Sequence, residues 1–266
     1  MLSIIAGYIS AIGVGLTLGL IGGGGSILTV PILVYFFGVD PILATTYSLC
    51  IVGLTSAVGA FRYYRSGNII FNIALLFGIP SLLTVFAMRK WVMPSIPRHV
   101  CYIGSHEIIK PDLLMATFAL LMIATSIAMI RKKATEETEE NGIKPNKPLL
   151  VGQSILVGGV TGFVGVGGGF LIIPSLVMFA RLPVKKAVGT SLLIMTLSSL
   201  LGVTGDLTRH VALNTSFLFL FSAFTIAGIL AGTYFNRYMK ETTLKQSFGW
   251  FVLCMGVFMI IRFIWQ

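Results

Sequence analysis

Charge is what this 266-residue chain has least of: Asp, Glu, Lys and Arg make up 11% of it, against 56% apolar residues. So few charges cannot cover a water-soluble domain of this size. Together with a mean hydropathy of +0.93 and apolar runs of membrane length from end to end, this points to a protein whose solvent is the bilayer. Acidic residues number nine, four of them within residues 131–148, while Asp40, Glu107, Asp112, Asp206 and Glu241 fall at the ends of apolar runs or between them. With no carboxylate in mid-span a buried proton relay is not indicated, and Asp40 and Asp206 read as interfacial or capping residues. Histidine and cysteine are scarcer still, with three of each. His99, His106 and His210 have no second ligand at metal spacing, and Cys50, Cys101 and Cys254 form neither a metal pattern nor a disulfide framework, so they read as packing residues. Without a nucleophile, acid–base or metal constellation, the chain is expected not to be an enzyme and to need no cofactor. A basic start is missing too: the first Lys or Arg is Arg62, so the first apolar segment is expected to be retained and not cleaved as a signal peptide.

The net charge of +10 does not gather on one face or stripe, which argues against a nucleic-acid partner. The Lys and Arg residues lie between apolar runs and read as topology signals.

Glycine is abundant and patterned. The motif G-x-G-G-x5-P occurs at residues 22–31 and again at 165–174, an offset of 143; residues 14–59 laid ungapped over 157–202 give 18 identities in 46 positions. That is the mark of an internal duplication. Each motif interrupts an apolar stretch, 2–37 in the first half and 149–180 in the second, that at about 1.5 Å per residue is too long for one crossing of ~30 Å of hydrocarbon. Each is therefore expected to fold as a re-entrant hairpin that turns at its glycines. Three full crossings follow in each half, at 41–61, 69–88 and 113–130, then at 187–207, 212–235 and 244–265. An odd number of crossings per half makes the second half inverted relative to the first.

The expected fold is thus an all-α polytopic membrane protein of two inverted repeats, residues 1–130 and 149–266, joined by a charged linker at 131–148. Basic residues sort accordingly. With hairpins, one face collects 13 of the 19 Lys and Arg and the other 6; with eight plain crossings the split would be 9 and 10. The positive-inside rule then places the linker in the cytoplasm and both termini outside.

Broken helices in matching positions of two halves point to a central binding site, because unpaired backbone groups persist at membrane depth only beside protein or a water-filled cavity. Helix N-termini there supply N–H donors and partial positive charge, which suits an anion. The first patch offers Gly24, Gly25 and Ser26, and the second Gly167, Gly168 and Gly169. Beside them, early in the next helices, stand Thr46 and Ser48 and then Thr190 and Ser191, whose hydroxyls can donate to an anion without bringing a charge into the bilayer. Neither patch is a P-loop, since no Lys follows, and Ile27 and Phe170 stand where the dinucleotide fingerprint needs its third glycine.

These motifs, with Pro31 and Pro174 and the following Ala44-x-x-x-Ser48 and Ala187-x-Gly189-Thr190-Ser191 elements, resemble the TauE/SafE family of membrane transporters, the sulfite and organosulfonate exporters. The resemblance spans nearly the whole chain. It implies a multi-pass inner-membrane permease of bacteria or archaea. Such a permease would be a secondary carrier moving sulfite, sulfoacetate, thiosulfate or a related sulfur-containing or carboxylate anion. H+ or Na+ is a candidate coupling ion for any such carrier, and no residue pattern selects one. A passive anion channel and a membrane-embedded sensor or binding protein are the alternatives. Ser26 stands where the second patch has Gly169, and Thr46-Tyr47-Ser48 where the second half has Gly189-Thr190-Ser191. The two half-sites are therefore expected to be chemically unequal.

Overall fold

A computed structural model describes residues 2–97, 99–103, 106–131, 147–165, 167–207, 213–236 and 241–264. Nearly all of the linker, together with Arg98, Arg209, His210, Arg237 and Lys240, lies outside the described residues. The described chain is helical apart from one antiparallel β-hairpin, β1 His99–Ile103 with β2 His106–Ile109, in a stretch read from sequence as a loop.

The first apolar stretch is two helices, α1 Leu2–Ile21 and α2 Ser26–Phe37, separated at Gly22–Gly25. They fold back on each other: the Tyr8 and Phe37 rings pack edge to face 5.2 Å apart, while a side chain at Gly25 would strike the backbone of Val14 and Leu18. The second stretch repeats this with α7 Lys147–Val164 and α8 Gly169–Met178. There Gln153, early in α7, accepts a hydrogen bond from Ser175, late in α8, at 3.4 Å. Both breaks are therefore hairpin turns. At about 1.5 Å per residue, α2 and α8 are only some 18 and 15 Å long, too short to cross a bilayer.

The α2–α3 junction shows why the chain turns where it does. Gly38 takes the left-handed conformation (φ 64°) and donates its N–H to Leu33 O, ending α2; Asp40 then accepts from the N–H groups of Ile42 (2.9 Å) and Leu43 (3.3 Å), with Pro41 opening α3 Pro41–Arg65. Asp40 is thus a cap, as expected. After α3 comes α4 Phe71–Ala87, which runs on through a π-helical turn at Met88–Val92 into α5 Met93–Ser95; α6 Lys110–Arg131 closes the first half. The second half continues with α9 Val184–Leu207, α10 Thr215–Phe235 and α11 Glu241–Ile264. Among the described residues five helical stretches, Pro41–Arg65, Phe71–Ser95, Lys147–Val164, Val184–Asp206 and Thr215–Phe235, are long and apolar enough to cross a membrane.

Packing follows the repeat. α1 lies along α10, its counterpart α7 lies along α4, α3 faces α9, and α6 faces α11. Small residues bring the helices together. A Cβ on Gly15 or Gly19 would fall 2.7 Å from the Thr225 carbonyl carbon or 2.6 Å from Ile229 O, and Gly228 and Gly232 approach α1 as closely from the other side. Without a hydrophobic drive between helices in lipid, such contact is what holds the pair.

The α3–α9 pair sets the centre. Thr46 meets Asp206, Gly53 meets Ser199, and Ser56 meets Thr196. As one number rises the other falls, so these helices run antiparallel and cross near residues 54 and 197.

Candidate functional site

The two breaks meet. A Cβ on Gly23 would lie 2.7 Å from Gly169 Cα, and one on Gly169 would lie 2.6 Å from Gly23 Cα, so backbone packs directly on backbone between the hairpins. Gly167 abuts the middle of both central helices: its Cβ would lie 2.6 Å from Val52 and 2.9 Å from Ser199 Oγ.

At the first break the open carbonyls are met, while no carbonyl among the described residues accepts from the N–H groups of Gly23, Gly24 and Gly25. Gly22 donates to Leu18 O at 2.8 Å, Ser26 Oγ donates to Gly23 O at 2.8 Å, and the carbonyls that end α1 are met by Asn236, whose amide donates to Leu20 O at 2.6 Å, and by Tyr63 OH, which donates to Gly19 O at 3.4 Å. These contacts satisfy the acceptors that every helix C-terminus leaves open. Apolar Val188 packs against Gly22.

Polar groups surround the second break. Gly165, Gly167 and Gly168 all have positive φ, between 70° and 75°, so the chain there cannot carry side chains without strain. Against Gly165 lie Thr45 and the guanidinium of Arg89; against Gly167, Ser199; against Gly168, Thr161. The hydroxyls of Thr161 and Ser199 are buried without a hydrogen-bond partner among the described residues. Ser48 Oγ is a third such group, and it stands on α3 one turn from both Thr45 and Val52, on the stripe that faces this break. Thr29 on α2 and Ser222 on α10 are also unpartnered. Leaving a buried hydroxyl unmet costs on the order of 1–3 kcal/mol, so three around one bend mark a place shaped for something else. Gly168 and Gly169 lead into α8, and no carbonyl among the described residues accepts from their N–H groups.

Of the residues singled out from sequence, Ser48, Gly167, Gly168 and Gly169 converge on this second break. Gly24, Gly25 and Ser26 form the first, with Ser26 bonded within its own turn. Thr46 donates to Asp206 Oδ2 at 2.8 Å, Thr190 Oγ1 accepts from Ile70 N–H at 3.1 Å, and Ser191 donates to Val188 O one turn back at 2.8 Å. Ser48 and Ser191 are equivalent in the repeat and differ in their bonding. Among the described residues no group of three His, Cys, Asp or Glu could hold a metal ion.

Sequence reasoning missed an ion pair. Arg89 and Asp206 are buried, 1% and 4% exposed, and Arg89 Nη1 donates to Asp206 Oδ2 and to Thr45 Oγ1, both at 3.0 Å. Asp206, at the end of α9, is thus turned into the protein, its carboxylate held by Arg89 and Thr46. The one hint in the sequence is that apolar residues resume at Trp91 after Lys90, which extends the helix past the arginine.

Comparison with known proteins agrees on one family. Residues 8–259 match the family described as "Sulfite exporter TauE/SafE". A "Probable membrane transporter protein" of Xylella fastidiosa strain Temecula1 is 30% identical over 94% of this chain and 92% of its own length. One of the same description from Methanocaldococcus jannaschii is 30% identical over 79% and 73%, and one from Bacillus subtilis 25% identical over 88% and 90%. No solved structure matches.

Proposed function

The chain belongs to the TauE/SafE sulfite-exporter family of membrane transporters, and from that premise we propose that it is a secondary carrier of a small oxyanion. Sulfite, sulfoacetate and other sulfur-containing or carboxylate anions are the substrate class. The site is the meeting point of the two hairpins, and the anion is held by alternating access between two inverted repeats. The observation that carries this reading is the cluster of buried, unpartnered hydroxyls of Ser48, Thr161 and Ser199 around a bend that opens into the N-terminus of α8. Hydroxyls and amides can replace an anion's hydration shell where a bare positive charge would be costly. Gly24, Gly25 and Ser26 supply the facing wall, and Thr46, Thr190 and Ser191 hold the flanking helices.

Inversion of the repeats is supported by the antiparallel run of α3 and α9, helices that correspond at an offset of 143. A two-fold axis relating them lies across the helices, hence in the plane of the membrane. The positive-inside count orients the molecule with its linker in the cytoplasm of a bacterial or archaeal cell and both termini outside. Direction of transport is set by the driving gradient, with H+ or Na+ as the coupling ion.

Uptake of labelled sulfite or thiosulfate into proteoliposomes tests this. A carrier saturates with substrate and is accelerated by the same anion on the far side. Flux that rises linearly without exchange would instead mark a passive channel, and a binding protein would give no flux at all.

A further inference from the structure

The duplication provides an internal control for the buried ion pair. At the offset of 143, Arg89 corresponds to Gly232, Asp206 to Tyr63, Thr45 to Val188 and Thr46 to Gly189. The two ends of the α3–α9 interface therefore share one scaffold. One end closes without a buried ion pair: a Cβ on Gly189 would lie 3.0 Å from Tyr63 Cβ, Tyr63 OH accepts from Asn236 at 3.1 Å, and the exposed Arg62 donates to Leu230 O and Thr233. Among the described residues only the other end carries a buried guanidinium paired with a carboxylate, so the repeated fold does not need that pair there. A buried ion pair is weak support for stability in any case, since desolvating both partners offsets most of their attraction.

Position gives the pair its use. Arg89 lies in the π-helical turn after α4, a local widening that recurs at functional sites. Its Nη2 abuts Gly165, where the left-handed backbone and lack of a side chain leave room for it, and its Cβ abuts Gly205 on α9. Thr45, which takes one of its hydrogen bonds, shares the α3 stripe with Ser48, whose hydroxyl is unpartnered. The guanidinium thus stands beside the second hairpin turn, next to the donors already described.

We propose that Arg89 is the charged ligand of the transported anion and that Asp206 occupies its place when no anion is bound. This rests on the carrier reading above and names the charge chemistry of the same site. A guanidinium presents a planar fork that matches two oxygens on one centre, as in sulfite, thiosulfate, a sulfonate or a carboxylate, and matches a single-atom anion such as chloride poorly. Asp206 is a carboxylate of that same shape. When the anion takes the fork, the displaced carboxylate keeps the hydrogen bond from Thr46. Because substrate and carboxylate compete, loss of either partner has effects of opposite sign.

Purified full-length protein in detergent is titrated with thiosulfate, sulfite and chloride, with binding read from the shift in thermal midpoint, and the same samples are assayed for uptake in proteoliposomes. Arg89→Gln combined with Asp206→Asn, which leaves no unpaired charge to unfold the protein, should raise the apparent Kd for thiosulfate at least tenfold. Asp206→Asn alone should lower it severalfold, and Arg89→Lys should reduce the preference for thiosulfate over chloride. A double variant that binds as wild type does, or an Asp206→Asn protein weakened as much as the double, overturns the proposal. Wild type that binds without transporting removes the carrier reading and leaves this one standing; wild type that binds none of the oxyanions overturns both.

Discussion

At Gly22–Gly25 the neighbours are Val188, the carbonyl-capping Asn236 and Tyr63, and a serine bonded within its own turn. At Gly165–Gly169 apolar Val52 and Met195 are joined by Arg89, Thr45, Thr161 and Ser199, two of them with hydroxyls that bond nothing among the described residues. Two segments with the same glycine pattern therefore form bends of different chemistry. Both leave backbone N–H groups with no carbonyl acceptor among the described residues, and the second also has the unpartnered hydroxyls of Thr161 and Ser199 against its glycines. A helical break in a membrane has to satisfy its own polar groups; where it does not, the remainder is available to a guest.

Substitutions at the contact shared by the bends should have the largest effect. Gly23→Val drives a branched side chain into the Gly169 backbone, which has no rotamer to yield. Overpacking of this kind costs about 1–3 kcal/mol or more, and the expected outcome is a thermal midpoint lowered by several degrees together with lost uptake. Next come the α1–α10 and α7–α4 seams. Gly228→Leu separates α1 from α10, where a Cβ would already lie 2.8 Å from Leu16 N, while Gly159→Leu on α7 meets only the far methyl of Thr84 at 3.9 Å. Midpoints from size-exclusion thermal assays should fall for the first and stay within a degree or two for the second.

The hydroxyl pair separates the bends most sharply. Ser48→Ala removes an unpartnered group at the second bend and should reduce thiosulfate uptake about tenfold, the value of one to two hydrogen bonds to an anion. Ser191→Ala removes only a bond to Val188 O one turn back, and its flux should match wild type. Equal losses in the two variants would mean that the bends share the anion. The smallest effect expected is one of sidedness. In a cysteine-free background, a cysteine at Ser66, past the end of α3, should be shielded from an impermeant thiol reagent added outside, and one at Thr215, which opens α10 near Tyr47, should react.

Much of this architecture was legible in the residues. The repeated G-x-G-G-x5-P locates both hairpin turns, and Asp40-Pro41 marks the start of α3 by its capping chemistry. What could not be read depends on contacts between distant segments. Arg89 and Asp206 each sit near the end of an apolar run, where a charge ordinarily reaches water, and only the docking of α4 on α9 buries them together. The π-helical turn has no proline or glycine to announce it in Met88–Val92. Ser48 and Ser191 are the same letter in equivalent places, yet one bonds its own helix and the other does not. The β-hairpin at His99–Ile109 fell in a stretch with no apolar alternation long enough to mark strands.

The most direct measurement is the position of the anion in an experimental structure of the protein prepared in lipid with thiosulfate. The account predicts the anion against Gly168 and Gly169, within hydrogen-bonding distance of Ser199 or Ser48, with both apolar stretches turned back at their glycines. An anion at the first bend alone, or hairpin segments that run straight across the bilayer, would contradict it.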